Sequence, residues 1–479
     1  MLEGLEVTIQ NYSELEKIID YRIEAEYFDK RFLKIDKIFE TQKYVTFFEV
    51  ADYENGRAYS SDEFYEEEGG VKVSKIGDVT QKRPNENWCS VSEQEFIKQK
   101  GNYLVDSDIL MTLTGDPPDV GKVNLFIENE LKSTWNQRVA RIFLKENQSI
   151  FLNQKVFYIV LATHYCREQL ERFAKGIRQR NLGTECIEKL KLPILSNTIQ
   201  LKINDLVEKS FESLTQSQTL YRQAEELLLK TIGLKDFIPS LEKTNIKTFK
   251  ESFLRTGRLD AEYYQPKYED YIDLVHNYEN GFELLQKACS LKDNNFTPEE
   301  TKEYQYIELA DIGKSGNITG CTIAQGNDLP SRARRKVNAN DVIISSIEGS
   351  LDSCALVTGD YDNALCSTGF YIVNSEKINS EILLVLFKSE VMQQILKQNC
   401  SGTILTAINK TEFQNIPVPI IDLPTQQHIS ALIQESFALR KESERLLAEA
   451  KEMVEREIGK GEIIYNKRID IPKIANETC

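Results

Sequence analysis

The chain repeats itself, and a repeat constrains a fold more tightly than any single motif in it. An Arg-aliphatic-acid-Ala-Glu-Tyr-aromatic phrase stands near the start of each half: Arg22-Ile-Glu-Ala-Glu-Tyr-Phe28, then Arg258-Leu-Asp-Ala-Glu-Tyr-Tyr264, offset by 258 − 22 = 236. Strand-like segments follow. Val71–Val79 resembles Tyr304–Ile312, and Tyr103–Leu110 resembles Arg335–Ile343; aligning Asp108 with Asp341 gives 341 − 108 = 233. The final third of each half aligns best. Gly176 matches Gly402, Pro193 matches Pro419, Ile203 matches Ile429, Ser210-Phe211 matches Ser436-Phe437, Ala224 matches Ala450, and Ile232-Gly233 matches Ile458-Gly459, each pair 226 apart (402 − 176). A constant offset through independent matches argues against two unrelated domains. Its drift from 236 to 226 is what insertions in surface loops produce. Each half therefore reads as a β-rich domain, a short Pro-bearing exit (Leu192-Pro193-Ile194; Val418-Pro-Ile420) and a long helix.

The helices show their own periodicity. Ile203, Val207, Ser210, Leu214, Ser217, Tyr221, Ala224 and Leu228 recur at alternating steps of four and three, the seam of a coiled coil, and Gly233 supplies a stop. The second copy runs Ile429, Ile433, Ser436, Arg440, Ser443, Leu447, Ala450, Val454 and is expected to end at Gly459; Arg440 weakens its seam, and Pro424 suits a helix start. Small seam residues allow close approach. A helix of about 30 residues spans roughly 45 Å, more than the roughly 34–36 Å of one B-DNA turn. Two readings follow: antiparallel helices that act as a ruler between the domains, or a generic dimerisation coil.

Composition narrows the class. A length of 479 residues allows two or three domains, and 41% hydrophobic residues suffice for ordinary cores. The longest apolar stretch, near Val156–Ala162, is too short to span a bilayer, and the acidic start lacks a secretory signal's pattern; a cytoplasmic location is the expectation. Nine scattered cysteines form no CxxC pair, and with three histidines no zinc spacing arises. Reduced, packed thiols are expected. The net charge of −16 counts against a broad nucleic-acid surface but permits local basic patches.

The order and duplication of these phrases resembles the specificity (S) subunit of type I restriction–modification systems. The resemblance is carried by Arg258–Tyr264 and its copy at Arg22–Phe28, by Gly402-Thr-Ile-Leu-Thr-Ala-Ile408, by Ile416-Pro-Val-Pro-Ile-Ile-Asp-Leu-Pro-Thr-Gln-Gln-His-Ile429 and by the two helices, over roughly Tyr21–Gly459. It departs in the first half, whose exit lacks the Leu-Pro-Thr-Gln-Gln phrase. The fold class it implies is α+β: two β-rich target recognition domains with two long antiparallel coiled-coil helices in a pseudo-twofold repeat. The expected divisions are an N-terminal segment 1–20, a first domain 21–195, a central spacer helix 196–235, a second domain 236–422, a C-terminal spacer helix 423–460 and a tail 461–479, in which Glu462–Tyr465 could form a short strand or partner contact. The resemblance implies a non-catalytic subunit that reads one half of a bipartite double-stranded DNA site with each domain. It implies two methyltransferase subunits as partners, together with restriction or translocase subunits. S-adenosylmethionine, ATP and Mg belong to those chains, with no cofactor on this one.

In the family, loops beside the repeated glycine and the central strands face DNA. The matching stretches here carry Lys175, Arg178, Gln179, Arg180 and Asn181, with Arg167 and Arg172 upstream, then Lys82-Arg83, and Asn136, Gln137 and Arg138 with Arg141. The second half carries Arg332, Arg334, Arg335 and Lys336. Arg can hold phosphate or guanine, and Asn or Gln adenine; four cations in five residues repel unless something anionic binds. The bland alternative is solvated surface charge.

Catalytic motifs are weaker. Asp116-Pro-Pro-Asp119 resembles an amino-methyltransferase loop but has aspartate where an aromatic would stack on a flipped base; a tight Pro turn is the better reading. No GxxxxGK[ST] occurs. Asp106/Asp108, Glu66–Glu68 and Glu299-Glu300 lack a nuclease's spacing, and His164 reads as a structural residue on a helix. The rival classes are a standalone methyltransferase or nuclease with fused recognition domains, and a coiled-coil scaffold that binds only protein.

Overall fold

The computed structural model describes residues 8, 11–15, 23–64, 70–80, 89–116, 119–127, 132–176, 178–235, 237–402 and 406–469. Arg22, Glu66–Glu68 and Lys82-Arg83 lie outside them. The chain forms two units, residues 1–212 with 442–479, and residues 213–441.

In the first unit, four antiparallel strands stand in the order Ala51–Asn55, Val139–Leu144, Ile109–Thr112, Val123–Leu125. Ile109–Thr112 is buried along its whole length, as a central strand should be when its sequence is an unbroken apolar run. A smaller sheet orders Cys89–Val91, Val71–Ser74 and Ser133–Trp135, the last two parallel. Tyr44–Thr46 pairs with the Pro-bearing exit Lys191–Pro193. Helices Gln154–Leu161 and His164–Phe173 help close a core that includes Phe39, Phe47, Met111, Ile142 and Phe157.

The second unit builds the same topology from different side chains. Ser290–Lys292, Phe370–Asn374, Val342–Ser345 and Cys354–Leu356 repeat the four-stranded order. Thr322–Gln325, Glu303–Ile307 and Leu365–Ser367 repeat the smaller sheet, again with one parallel pair. Here a fourth strand, Ala333–Lys336, joins its edge. The matching stretch of the first unit follows the short helix Glu93–Lys98 instead.

The strand-like sequence segments overran the strands. Tyr103–Leu110 and Arg335–Ile343 each contain a tight turn closed by a buried aspartate. Asp108 accepts from the Val105 amide (2.8 Å) and the Arg141 guanidinium (2.6 Å). Asp341 accepts from the Asn338 amide (2.8 Å) and Lys292 (2.8 Å). The residue before each, Ser107 (φ 66°) or Asn340 (φ 71°), is left-handed. These aspartates therefore hold backbone and a cation, which accounts for Asp108 without a metal.

Helix α1 spans Asn197–Thr231 and α2 spans Leu423–Ile469. They run antiparallel, and each unit packs its own stretch of both. In the first unit Ile203 and Val207 share a core with Ala450, Val454 and Ile458. In the second, Tyr221, Ala224 and Leu228 share one with Ile429 and Ile433. The seam serines are bonding residues as well as small ones. Ser210 Oγ donates to the Ser443 carbonyl (2.9 Å) in the first unit. In the second, Ser217 Oγ donates to the Ser436 carbonyl (2.7 Å) and Ser436 Oγ returns a bond to the Ser217 carbonyl (2.8 Å). Arg440 is buried rather than merely weakening the seam, and donates to Ser315 Oγ (2.9 Å).

Gly233 stops α1 in a left-handed conformation (φ 80°). Its repeat partner Gly459 does not stop α2, which continues to Ile469 and takes Glu462–Tyr465 with it. A glycine inside a helix costs only about 1 kcal/mol relative to alanine, too little to end a helix whose flanks favour it. His164 begins its helix with its amide and Nδ1 both on Glu455 (3.0 and 2.9 Å), a structural role. The eight described cysteines are free, all buried except the half-buried Cys321; burial pushes the Cys166 and Cys354 thiols up to about 12.

Each serine rung predicts a non-additive cycle. Ser217→Ala or Ser436→Ala alone should cost about 1 kcal/mol by leaving a buried partner unsatisfied. Ser217 Oγ also lies 3.0 Å from Ser436 Oγ, a contact that either single variant removes, so the double variant should cost less than the sum, measured by urea unfolding; strict additivity would show that the hydroxyl–hydroxyl contact contributes nothing.

Candidate nucleic-acid interface

The candidate DNA-facing residues of the first unit come from two segments some forty positions apart, and both meet one short stretch of chain. The Leu113 amide donates to the Arg138 carbonyl (2.9 Å), and the Leu113 carbonyl accepts from the Leu182 amide (2.8 Å). Thr114 and Gly115 pair antiparallel with Asn181 and Arg180. Leu113–Gly115 thus forms a frame with the Asn136–Arg138 turn on one side and the Lys175–Leu182 hairpin on the other. Asn136 Oδ1 closes the turn by accepting from the Arg138 amide (3.0 Å). The hairpin closes through a double backbone bond between Lys175 and Asn181 (2.8 and 2.9 Å). Gly176 permits its tight path: its φ is +127°, and a Cβ there would lie 2.2 Å from the Gln179 carbonyl oxygen.

Side chains on this frame divide into presented and engaged groups. Gln137, Arg138, Arg178 and Gln179 are exposed. Asn181 is exposed too, with Oδ1 accepting from Thr114 Oγ1 (3.0 Å). Lys175 reaches Glu185 (3.2 Å), whose carboxylate is held below its usual range by its own amide and by Lys175. Arg180 is turned inward, its side chain only 15% exposed; it donates to the Glu171 carbonyl (3.1 Å) and pairs with Glu26 (2.5 Å). Arg172 is buried, donates to the Tyr27 carbonyl (2.8 Å) and pairs with Asp36. Arg141 serves Asp108. A run of cations in the sequence is therefore part rim and part internal tie. The Asp119 amide donates to the Asp116 carbonyl (2.6 Å); Pro117 and Pro118 lie outside the described residues, as does Ile177.

The second unit repeats the frame bond for bond. The Ser346 amide donates to the Gly369 carbonyl (2.9 Å), and the Ser346 carbonyl accepts from the Ile408 amide (2.9 Å); Ile347 bridges Ala407. Gly402, like Gly176, has a positive φ, +136°. The side chains differ throughout: Gly369 stands for Arg138, Ala407 for Asn181 and Ile347 for Thr114. Thr403–Leu405 lie outside the described residues. Cations arrive instead from the extra strand. The Thr368 amide donates to the Arg332 carbonyl (2.9 Å), so Arg332–Lys336 begins beside the frame's turn. Arg332 is exposed and 3.5 Å from Glu308. Arg334 Nε donates to the Ser331 carbonyl (3.1 Å), and Lys336 is exposed over the Phe296 ring (5.8 Å). Arg335 is half-buried with Nε and Nη1 shielded from solvent, a placement its charge alone did not foretell.

Sequence reading located the flanking clusters but missed the frame stretches Leu113–Gly115 and Ser346–Glu348, because their role is main-chain pairing. Among the described residues no group of His, Cys, Asp and Glu is placed to hold a metal ion, and no helix is long and apolar enough to cross a membrane.

An α+β domain present twice, two long helices that each contribute a stretch to both units, and one main-chain frame carrying different side chains in each half define the class of chain. Residues 40–225 and 282–450 match the family described as type I restriction modification DNA specificity domain, and the chain belongs to that family. It is similar to the type I restriction enzyme EcoBI specificity subunit of Escherichia coli, at 22% identity over 453 residues, covering 89% of this chain and 87% of that protein. Among solved structures it is similar to the S subunit of a type I restriction–modification system from M. genitalium, with 14% identity, a TM-score of 0.37 and coverage of 89% and 94%. A second is the HsdS subunit from Thermoanaerobacter tengcongensis, with 12% identity, a TM-score of 0.25 and coverage of 86% and 96%.

The Arg172–Asp36 tie makes a pH prediction. Burial opposes ionisation of Asp36, but Arg172 and Lys191 outweigh it and hold its carboxyl below the usual range. A depressed carboxylate contributes stability that is present above its unfolded pKa, about 4, and lost as pH falls through the folded value. Asp36→Asn should therefore cost about 1–2 kcal/mol at neutral pH, with the gap from the parent closing below about pH 4. A gap independent of pH in urea unfolding would refute the tie. Separately, Gly176→Ala should destabilise by about 2 kcal/mol or more through strain at its left-handed φ.

Proposed function

We propose that this chain is the sequence-reading specificity subunit of a type I restriction–modification assembly, each unit reading one half of a bipartite double-stranded DNA site. The observation that supports this most is the repeated frame with unlike side chains. Two half-sites of different sequence need the same geometry twice and different contacts each time. Arg138, Arg178, Gln179, Asn136 and Asn181 are the proposed contacts of the first unit, with Lys175 beside them. Arg332, Arg334 and Lys336 are those of the second. Arg180 holds its hairpin rather than reaching out from it, and Arg335 is half-buried. Neutral Asn and Gln suit adenine, and the cations suit phosphate or guanine.

The chain is proposed to be non-catalytic and to dock two methyltransferase subunits, with S-adenosylmethionine, ATP and Mg acting on partner chains and α1 and α2 serving as the spacer. Purified alone it should transfer no methyl group to DNA; transfer by the isolated chain would return the standalone-enzyme reading.

The decisive test separates the halves. In the assembled complex, Arg138→Ala with Arg178→Ala should relax selectivity at one half-site, and Arg332→Ala with Arg334→Ala and Lys336→Ala at the other. Each lost phosphate contact should lower the salt slope of binding by about 1. Methylated-motif mapping reads the outcome. If both sets of variants leave the bipartite motif and the affinity intact, the frame does not face DNA.

A further inference from the structure

The turn of the frame has a neighbour that no sequence offset reveals. In the first unit the Gln137 amide donates to the Arg57 carbonyl (2.9 Å); in the second the Thr368 amide donates to the Arg332 carbonyl (2.9 Å). Gln137 and Thr368 are the same station, each one residue before the carbonyl that receives the frame's amide. The Arg57 and Arg332 carbonyls therefore occupy one station, although their segments reach it from different parts of the chain and in opposite senses, Arg57 bridging Asn136 in parallel and Ala333–Lys336 pairing antiparallel with Leu365–Ser367. Arg57 follows the strand Ala51–Asn55, whereas Arg332 precedes the strand Ala333–Lys336. Their separation, 332 − 57 = 275, matches none of the repeat's offsets.

Arg57 is fixed there by its backbone. Its amide donates to the Trp135 carbonyl (3.2 Å), and it bridges Asn136 in parallel. Gly56 makes the approach possible, since a Cβ would lie 2.2 Å from the Asn136 carbonyl oxygen. The side chain is 40% exposed, with Nη2 3.8 Å from Glu54. Its Nε donates to the Lys100 carbonyl (3.0 Å), which brings exposed Lys100 beside the turn. Lys100 is left-handed (φ 51°), a conformation that costs a side-chain-bearing residue about 1–2 kcal/mol and marks positions worth a functional question.

We propose that Arg57, with Lys100 next to it, contacts DNA phosphate in the first unit as the counterpart of Arg332 in the second. This rests on the DNA-reading function proposed above. Phosphate fits better than a base edge. With Nε on a carbonyl and Nη2 near Glu54, the guanidinium offers a positioned positive charge rather than the free fork that guanine readout uses.

The test uses the assembled complex, with binding to cognate and non-cognate duplexes measured across salt concentrations. Arg57→Ala should weaken both duplexes by the same factor, about 3–10-fold at moderate salt, and lower the slope by about 1; Arg57→Lys should restore most of the slope. An unchanged slope in Arg57→Ala, while Arg138→Ala with Arg178→Ala loses affinity, overturns the Arg57 assignment and leaves the DNA-reading function standing. Weakened binding with an unchanged slope and no rescue by lysine marks a purely structural tie and also overturns it. If neither variant alters binding, the frame of the first unit does not face DNA, and the Arg57 assignment falls with it.

Discussion

The structure depends on hydrogen bonds that belong to the main chain alone. Leu113 and Ser346 each donate to one flanking segment and accept from the other, and neither bond asks anything of a side chain. Such a frame keeps its geometry whatever residues it carries, provided the backbone can follow the path. That condition falls on few positions, chiefly Gly176 and Gly402 with their positive φ. The rest of the rim is free to differ, and Arg138 against Gly369 or Asn181 against Ala407 shows how far it has done so.

The sequence made the repeat and the helix seam plain, because both are written in side chains that must be apolar or small wherever they occur. Ile203, Val207, Ala224 and Leu228 are buried as their spacing required. The buried pair Asp108 and Asp341 was visible as an alignment, though not as a turn clamp. What stayed hidden obeys a different logic. Arg180 and Arg335 read as candidate DNA-facing cations, with Arg172 in the same cluster as Arg180, yet long-range partners such as Glu26, Asp36 and the Tyr27 carbonyl, or burial, decide where a guanidinium points. Gly459 looked like Gly233, but a glycine ends a helix only when the following chain leaves it. The pairing of Arg57 with the turn left no trace, since a backbone bond has no residue signature.

The acidic balance of the chain is compatible with a cationic rim once the ties are traced. Glu26 holds the inward-turned Arg180, while Glu185 and Glu308 stand against Lys175 and Arg332. Exposed pairs of this kind contribute between zero and about 1 kcal/mol. They orient the cations without holding them tightly.

One consequence follows from the turn at Gln137 and Thr368. Equivalent positions in duplicated domains are ordinarily found by stacking homologous columns. In this chain two carbonyls that receive the same turn amide, those of Arg57 and Arg332, share no column, because one half supplies the position from a strand exit and the other from an inserted strand. Any comparison of the two halves has to be indexed by stations on the frame, because a column-based comparison records Arg57 and Arg332 as unrelated.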